Sequence, residues 1–249
     1  MNKILILVLM ILLSTGLTGC ALPVQPPVEI NHDFWQEKDK TIGVIMSEIP
    51  EPETTIVGAS CLLCYGVASA ANSSLDKHLK TIPTEDVAIL KQKVFDILTD
   101  RGMSVTMLEQ DIAVGKLKKY KSKEPNVALK DFSAFKEKSL DYLLVIDVHQ
   151  VGAHRSYSGY VATTDPLSVF SGLAYIIDLK TNKYAWYRPF DHKMPADLEW
   201  DEPPSFPGLT NSLYEVITLG HDSVIQSLNT QQVMAMPTNA AALKSTSDE

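Results

Sequence analysis

The sequence predicts one α/β domain: a mixed β-sheet of about five strands packed with three to four helices, a long β-hairpin near residues 172–187 and a C-terminal helix. Three observations predict it. Short apolar runs, Thr41–Met46 and Tyr142–Ile146, read as buried strands. Longer stretches, about Thr84–Arg101 and Thr210–Leu228, repeat their apolar residues with helical period. A run that alternates apolar and other residues from Gly172 to Tyr187 is broken by Asp178–Lys183, which reads as a hairpin.

The first strand, Thr41–Met46, is apolar at its centre, and Pro50 and Pro52 end it. In the first clear helix Thr84 is the expected N-cap, and Glu85 and Asp86 suit the positive end of the dipole. Val87, Leu90, Val94, Ile97 and Leu98 form its stripe, and Gly102 supplies the stop. Met103–Leu108 follows as a strand. A weaker helix is expected over Val127–Lys138, bringing Leu129, Phe132 and Phe135 together. Tyr142–Ile146 begins a longer strand running through Asp147, His149 and Val151, the expected centre of the sheet. In the hairpin Leu173, Tyr175, Ile177 and Leu179 share a face, Tyr184 and Trp186 continue the alternation after the turn, and Asn182 suits a positive φ. The last helix carries Leu213, Val216, Ile217, Val224 and Leu228 on one side.

The N-terminus has one cation, Lys3, then an apolar run from Ile4 to Leu13, then small residues up to Leu17-Thr18-Gly19-Cys20. Ten apolar residues are too few to cross ~30 Å of hydrocarbon, so the run reads as a cleaved leader. Its last four residues resemble the lipobox of bacterial lipoproteins. That resemblance implies lipidation of Cys20, and Ala21 after it favours the periplasmic face of the outer membrane. The expected organisation is a signal peptide over 1–19, a proline-stiffened tether over 20–38, a periplasmic domain over 39–229 and a disordered tail over 230–249. The 22 basic residues against 30 acidic ones give a net charge of −8, which argues against a nucleic-acid partner. The expected partners are the membrane, through the lipid, and an envelope protein or a second copy of the chain.

Asp141-Tyr142-Leu143-Leu144-Val145 and the stretch Ile177-Asp178-Leu179-Lys180-Thr181-Asn182-Lys183-Tyr184-Ala185-Trp186 carry a second likeness. Together with the element order, they resemble a group of envelope proteins. The group includes the curli-secretion lipoprotein, the lipoprotein activators of peptidoglycan synthases and the N-terminal domain of the Tol-system propeller protein. Ser139-Leu140 and Asn182 depart from the group's Gly-Ala and Gly. The resemblance implies a non-enzymatic domain that binds other envelope components.

Cys61 and Cys64 are three residues apart and are the two cysteines left once Cys20 is lipidated. No charge lies between Glu53 and Asp76 to acidify either thiol, which argues against redox catalysis. Buried structural thiols and a disulfide both remain open, and a zinc site lacks further ligands near His78. The uncharged stretch 54–75 reads as a helix or helix plus loop buried on the sheet, or as a membrane-facing or self-associating surface of an export or pore component. Asp147 and His149 share a strand face that His154 and His192 are placed to approach, so an acid–base or metal site can be drawn beside the alternative of a solvated edge. An envelope hydrolase or redox enzyme would draw on Cys64, His149 and Asp147. Trp200-Asp201-Glu202 offers a partner surface, the alternative being a Trp200 folded back on the domain. No nucleophile elbow, zinc-helix or phosphate-loop motif is present, and neither a cofactor nor a metal is expected.

Overall fold

The computed structural model describes residues 24–229; the leader, Cys20 and the tail fall outside the described residues. Seven strands form one mixed sheet: β1 (Thr41–Met46), β2 (Glu53–Val57), β3 (Ser104–Met107), β4 (Tyr142–Ser158), β5 (Val161–Ala162), β6 (Leu167–Asp178) and β7 (Lys183–Pro195). The order is β3-β1-β4-β6-β7, with β2 and β5 also paired to β4. The helices are α1 (Leu62–Ala71), α2 (Ser73–Leu79), α3 (Glu85–Asp100) and α4 (Pro207–Asn229). The architecture is the single-domain α/β fold expected from the sequence, with two short strands more than anticipated.

β4 is the beam of the sheet. Its first residues pair in parallel with β1 and its last with β2, while β6 runs antiparallel along its other edge. Between the two parallel partners Ser47 holds the chain in place: its N–H donates to Ile146 O and its Oγ accepts from the Val148 N–H at 2.9 Å. Gly152, with φ +126°, lies where β2 comes closest. A Cβ there would stand 2.4 Å from the Glu53 carbonyl oxygen, so a side chain would push β2 off the sheet.

Two bulges decide which side chains face which way. At His149 the register of β4 shifts, so Leu144, Ile146 and Val148 before it and Val151 and Ala153 after it all reach one core. At Ala185 the register of β7 shifts, so Trp186 pairs with Ile176 and Tyr184 with Ile177. Tyr184 and Trp186 are two apart, yet they lie on opposite faces of the sheet. A simple alternation puts them together; the extra residue separates them.

One face, the helix face, is covered by α2, α3 and α4. Val87, Leu90, Val94 and Leu98 of α3 are buried there, as are Leu213, Val216, Val224 and Leu228 of α4. Trp186 is wholly buried among them and donates Nε1–H to Ser227 Oγ at 3.2 Å. α4 crosses so closely that a Cβ on Gly220 would lie 2.3 Å from the Phe170 ring.

The other face, the loop face, has no α-helix over it among the described residues. Phe132, Leu140, Ile112 and Ala128 from the irregular chain between β3 and β4 cover Ile45, Leu143, Val145, Tyr175 and Ile177. Here the structure departs from the helix expected over Val127–Lys138. Only Ser133–Lys138 turns, as a 3-10 helix, and Leu129 is 76% exposed rather than packed beside Phe132. The reason is Asn182. At φ +58° in the hairpin turn, its side chain donates to the Ala128 and Lys130 carbonyls and accepts from the Phe132 N–H. Those three bonds hold residues 128–132 in a non-helical path.

Two further expectations change. Residues 54–75 are not one buried helix: they form β2, a disulfide-linked turn, α1, whose Leu62, Leu63, Tyr65 and Val67 are exposed, and the start of α2, whose Leu75 is buried. Residues 28–35, expected as part of a tether over 20–38, pack on the domain. Val28 makes a two-way backbone bridge with Tyr187, and Ile30, Phe34 and Trp35 are buried, with the Arg101 guanidinium 4.1 Å over the Trp35 ring.

Candidate functional site

The bulge at Ala185 puts Tyr184 and Tyr187 on the loop face beside Tyr175, and the three rings form a floor. Ring centroids are 5.6 Å apart for Tyr175–Tyr184 and 4.8 Å for Tyr184–Tyr187, and Phe132 meets Tyr175 edge-on at 6.0 Å. Above the floor is a cleft of about 770 Å³. Its walls come from residues 122–130 and from Val24–Pro26, which lie across one side as a strap; Asp147 and Leu173 line it too. Gln25 fastens the strap by donating to Asn126 Oδ1 at 3.0 Å. Burial lifts the phenol pKa of all three tyrosines above its ordinary value, and the nearby Asp147 carboxylate lifts it further, so they stay neutral hydroxyls. An aromatic floor with an acid at one side and polar loops around it is suited to holding a ligand.

The Asp147–His149 pair forms, with His149 Nε2 3.2 Å from Asp147 Oδ2, and that bond raises the His149 pKa against the opposing effect of its burial. The other two histidines do not join it. His154 pairs with Leu167 near the far end of β4, where burial and then Lys193 lower its pKa. His192 pairs with Phe170 and so faces the helix side of the sheet. Among the described residues no group of three His, Cys, Asp or Glu side chains is placed to hold a metal ion.

Cys61 and Cys64 are joined by a disulfide at the start of α1, with Cα atoms 5.0 Å apart. Cys64 Sγ sits beside Gly159 in the β4–β5 turn, well along the chain from His149. The exposed residues of α1 share that end of the molecule with exposed Tyr160 and Val161. Trp200 is half-buried, its ring 4.4 Å from the Arg155 guanidinium, which also donates to Asn72 Oδ1. Asp201 and Glu202 are exposed beside it.

Sequence reasoning missed the cleft and one of its borders. The tyrosines were legible as residues, but the bulge that gathers them was not. The border is Lys116-Leu117-Lys118-Lys119-Tyr120-Lys121-Ser122-Lys123, five lysines in eight residues, masked by the acidic balance of the whole chain. The structure holds this stretch against the chain that follows. Tyr120 N–H donates to Leu129 O, Asp131 N–H donates to Lys118 O, and Lys130 Nζ reaches the Gly115 and Leu117 carbonyls. All five lysines are exposed, and among the described residues none makes an ion pair within 4 Å.

No protein-family model and no curated protein matches this chain. Among solved structures it is similar to the PelC dodecamer from Paraburkholderia phytofirmans (10% identity, 84% of this chain and 96% of that one, TM-score 0.30). It is also similar to protein XCC0632 of Xanthomonas campestris, of the DUF330 family (14%, 82% and 94%, TM-score 0.32). A third is lipoprotein GNA1162 from Neisseria meningitidis (15%, 72% and 99%, TM-score 0.25). At these values the resemblance assigns no function.

Proposed function

We propose that the chain is a lipid-anchored, non-enzymatic accessory or assembly protein of the bacterial envelope, held at the periplasmic face of the outer membrane, that binds another envelope component. The observation that carries the reading is Leu17-Thr18-Gly19-Cys20 after the apolar run. The Cys61–Cys64 disulfide agrees with an oxidising compartment, and the tyrosine-floored cleft supplies a place for a partner to dock. The anchor is tested by mass spectrometry of the mature protein from membranes. An acylated Cys20 as first residue is expected; an unmodified terminus on protein released into buffer overturns the reading. Binding is tested by a photo-crosslinking residue at Leu173 in intact cells. An envelope adduct that disappears with Tyr184→Ala is expected, and a chain that stays monomeric with no adduct counts against it.

A second reading, an oligomeric export component, is favoured by the exposed Leu62, Leu63, Tyr65 and Val67 of α1 beside Tyr160 and Val161. Sizing in detergent separates the two, since a monomer removes the oligomer.

A further inference from the structure

We infer that the lysine loop 116–123 is a second membrane contact, a surface that docks on the anionic phospholipid headgroups of the bilayer in which Cys20 is anchored. The inference rests on the reading of Cys20 as lipidated, and three features of the molecule meet in it.

The first is charge. In a chain of net charge −8, no acidic residue falls between Asp111 and Glu124 while five lysines do. Glu124 itself is occupied by Lys183, and Lys118 feels Asp131 only beyond ion-pair distance. A cluster of this size is the pattern that anionic leaflets attract. The second is composition. Tyr120 and Leu129 face each other in the hydrogen-bonded pair that backs the loop, and both are exposed, Leu129 at 76%. An aliphatic and an aromatic side chain among lysines match a bilayer's boundary, where apolar groups enter and cations remain with the phosphates.

The third is reach. The strap is fastened to the fold by Gln25 and Val28, and Val24 lines the same cleft as Lys123. Val24 is four positions on from Cys20, with three residues between them, a span of at most ~14 Å. Electrostatic attraction to a surface fades over about 8 Å at physiological salt, so lysines on a long tether would seldom feel the membrane. The short link eases that difficulty: it limits Val24, which lines the cleft together with Lys123, to ~14 Å from residue 20, under two such screening lengths.

The test uses the chain from Ala21 onward, which keeps every residue of the described fold and has no acylation site, so its outcome is independent of whether Cys20 is modified in cells. Flotation is measured with phosphatidylglycerol–phosphatidylcholine vesicles and with phosphatidylcholine alone. Binding to the anionic vesicles only, weakening as salt rises, is expected. Lys118→Glu, Lys119→Glu and Lys121→Glu together lower partition by roughly a hundredfold or more, while arginine at the same three positions retains it. Glutamate at Lys77 and Lys193, outside the loop, has little effect. Equal binding to both vesicle types, or to neither, overturns the inference. So does displacement by equimolar inorganic phosphate or preferential binding of a single-stranded oligonucleotide, either of which would make the loop a general anion site. Mass spectrometry showing an unmodified Cys20 alongside anionic-vesicle binding would fault the anchor and leave the loop's affinity standing.

Discussion

The two faces of the sheet are built from the same strands and differ in what covers them. On the helix face, α3 and α4 present regular stripes to Ile176, Phe170 and Trp186, and the core is closed. On the loop face, an irregular chain is held to the sheet by a few side-chain bonds, and a cleft remains over Tyr175, Tyr184 and Tyr187. The difference divides the labour of the molecule. Close-packed helices supply stability, and loops on a rigid support leave concave, adaptable surface for recognition.

The comparison breaks first if the helix face is not where stability resides. Trp186→Ala removes a wholly buried side chain and the bond to Ser227, and about 3–5 kcal/mol of unfolding free energy is expected to be lost. Urea denaturation measures it, and a loss under 1 kcal/mol would refute the division.

Acid sharpens the contrast, because the two faces carry histidines of opposite behaviour. His221 of α4 is buried against Phe170, and burial first, then Lys93, push its pKa from 6.5 down to about 4. The folded form therefore stays neutral where the unfolded chain takes a proton. Stability is full above about 6.5 and falls as pH drops toward 4, by about 3 kcal/mol. His221→Gln is expected to flatten that slope in urea titrations across this range; parallel slopes in both proteins would exclude His221 as its source. On the loop face His149 does the reverse. Its pKa is raised by Asp147, so its small contribution is full below the ordinary histidine value and is lost as pH rises through the raised one. Its ring titration by NMR is expected to move down in Asp147→Asn.

A smaller effect on global stability than that of Trp186 is expected from Asn182→Ala, about 1–3 kcal/mol for the bonds to Ala128, Lys130 and Phe132 and the left-handed turn. Its local effect is larger. Limited proteolysis is expected to cut within residues 114–138 well before the helices, and unchanged cutting there would show that other contacts hold the loop.

Much of the helix face was legible in the sequence because periodicity reports burial directly: α3 spans Glu85–Asp100 and β1 Thr41–Met46, close to where the apolar patterns place them. The loop face was less legible. Leu129, Phe132 and Phe135 carry helical spacing, yet Asn182, about 50 residues away, takes the backbone bonds a helix would need. Tyr184 and Trp186 share a parity that one extra residue in β7 undoes. The hairpin was visible only between 172 and 187, although β6 and β7 pair from Leu167 to Pro195, because Ser168, Ser171, Asp191 and Lys193 interrupt the apolar signal. Two residues of small or polar character, Ser47 and Gly152, turn out to fix where β1 ends and β2 begins against β4; neither has a periodic signature.

The bridge between Val28 and Tyr187 also has a mechanical side. If Cys20 carries the proposed lipid and the domain is dragged while that lipid stays put, tension enters through Gln25 and then through the two hydrogen bonds of that bridge, before it reaches Ile30, Phe34 and the Trp35 clasped by Arg101. Yielding of the first grip frees the six residues from Val24 to Glu29, a stretch of at most about 20 Å when extended, with the sheet and its helices still intact. The same release would lift the strap from the tyrosines, so under the proposed anchoring a tug on the N-terminal end would uncover the cleft.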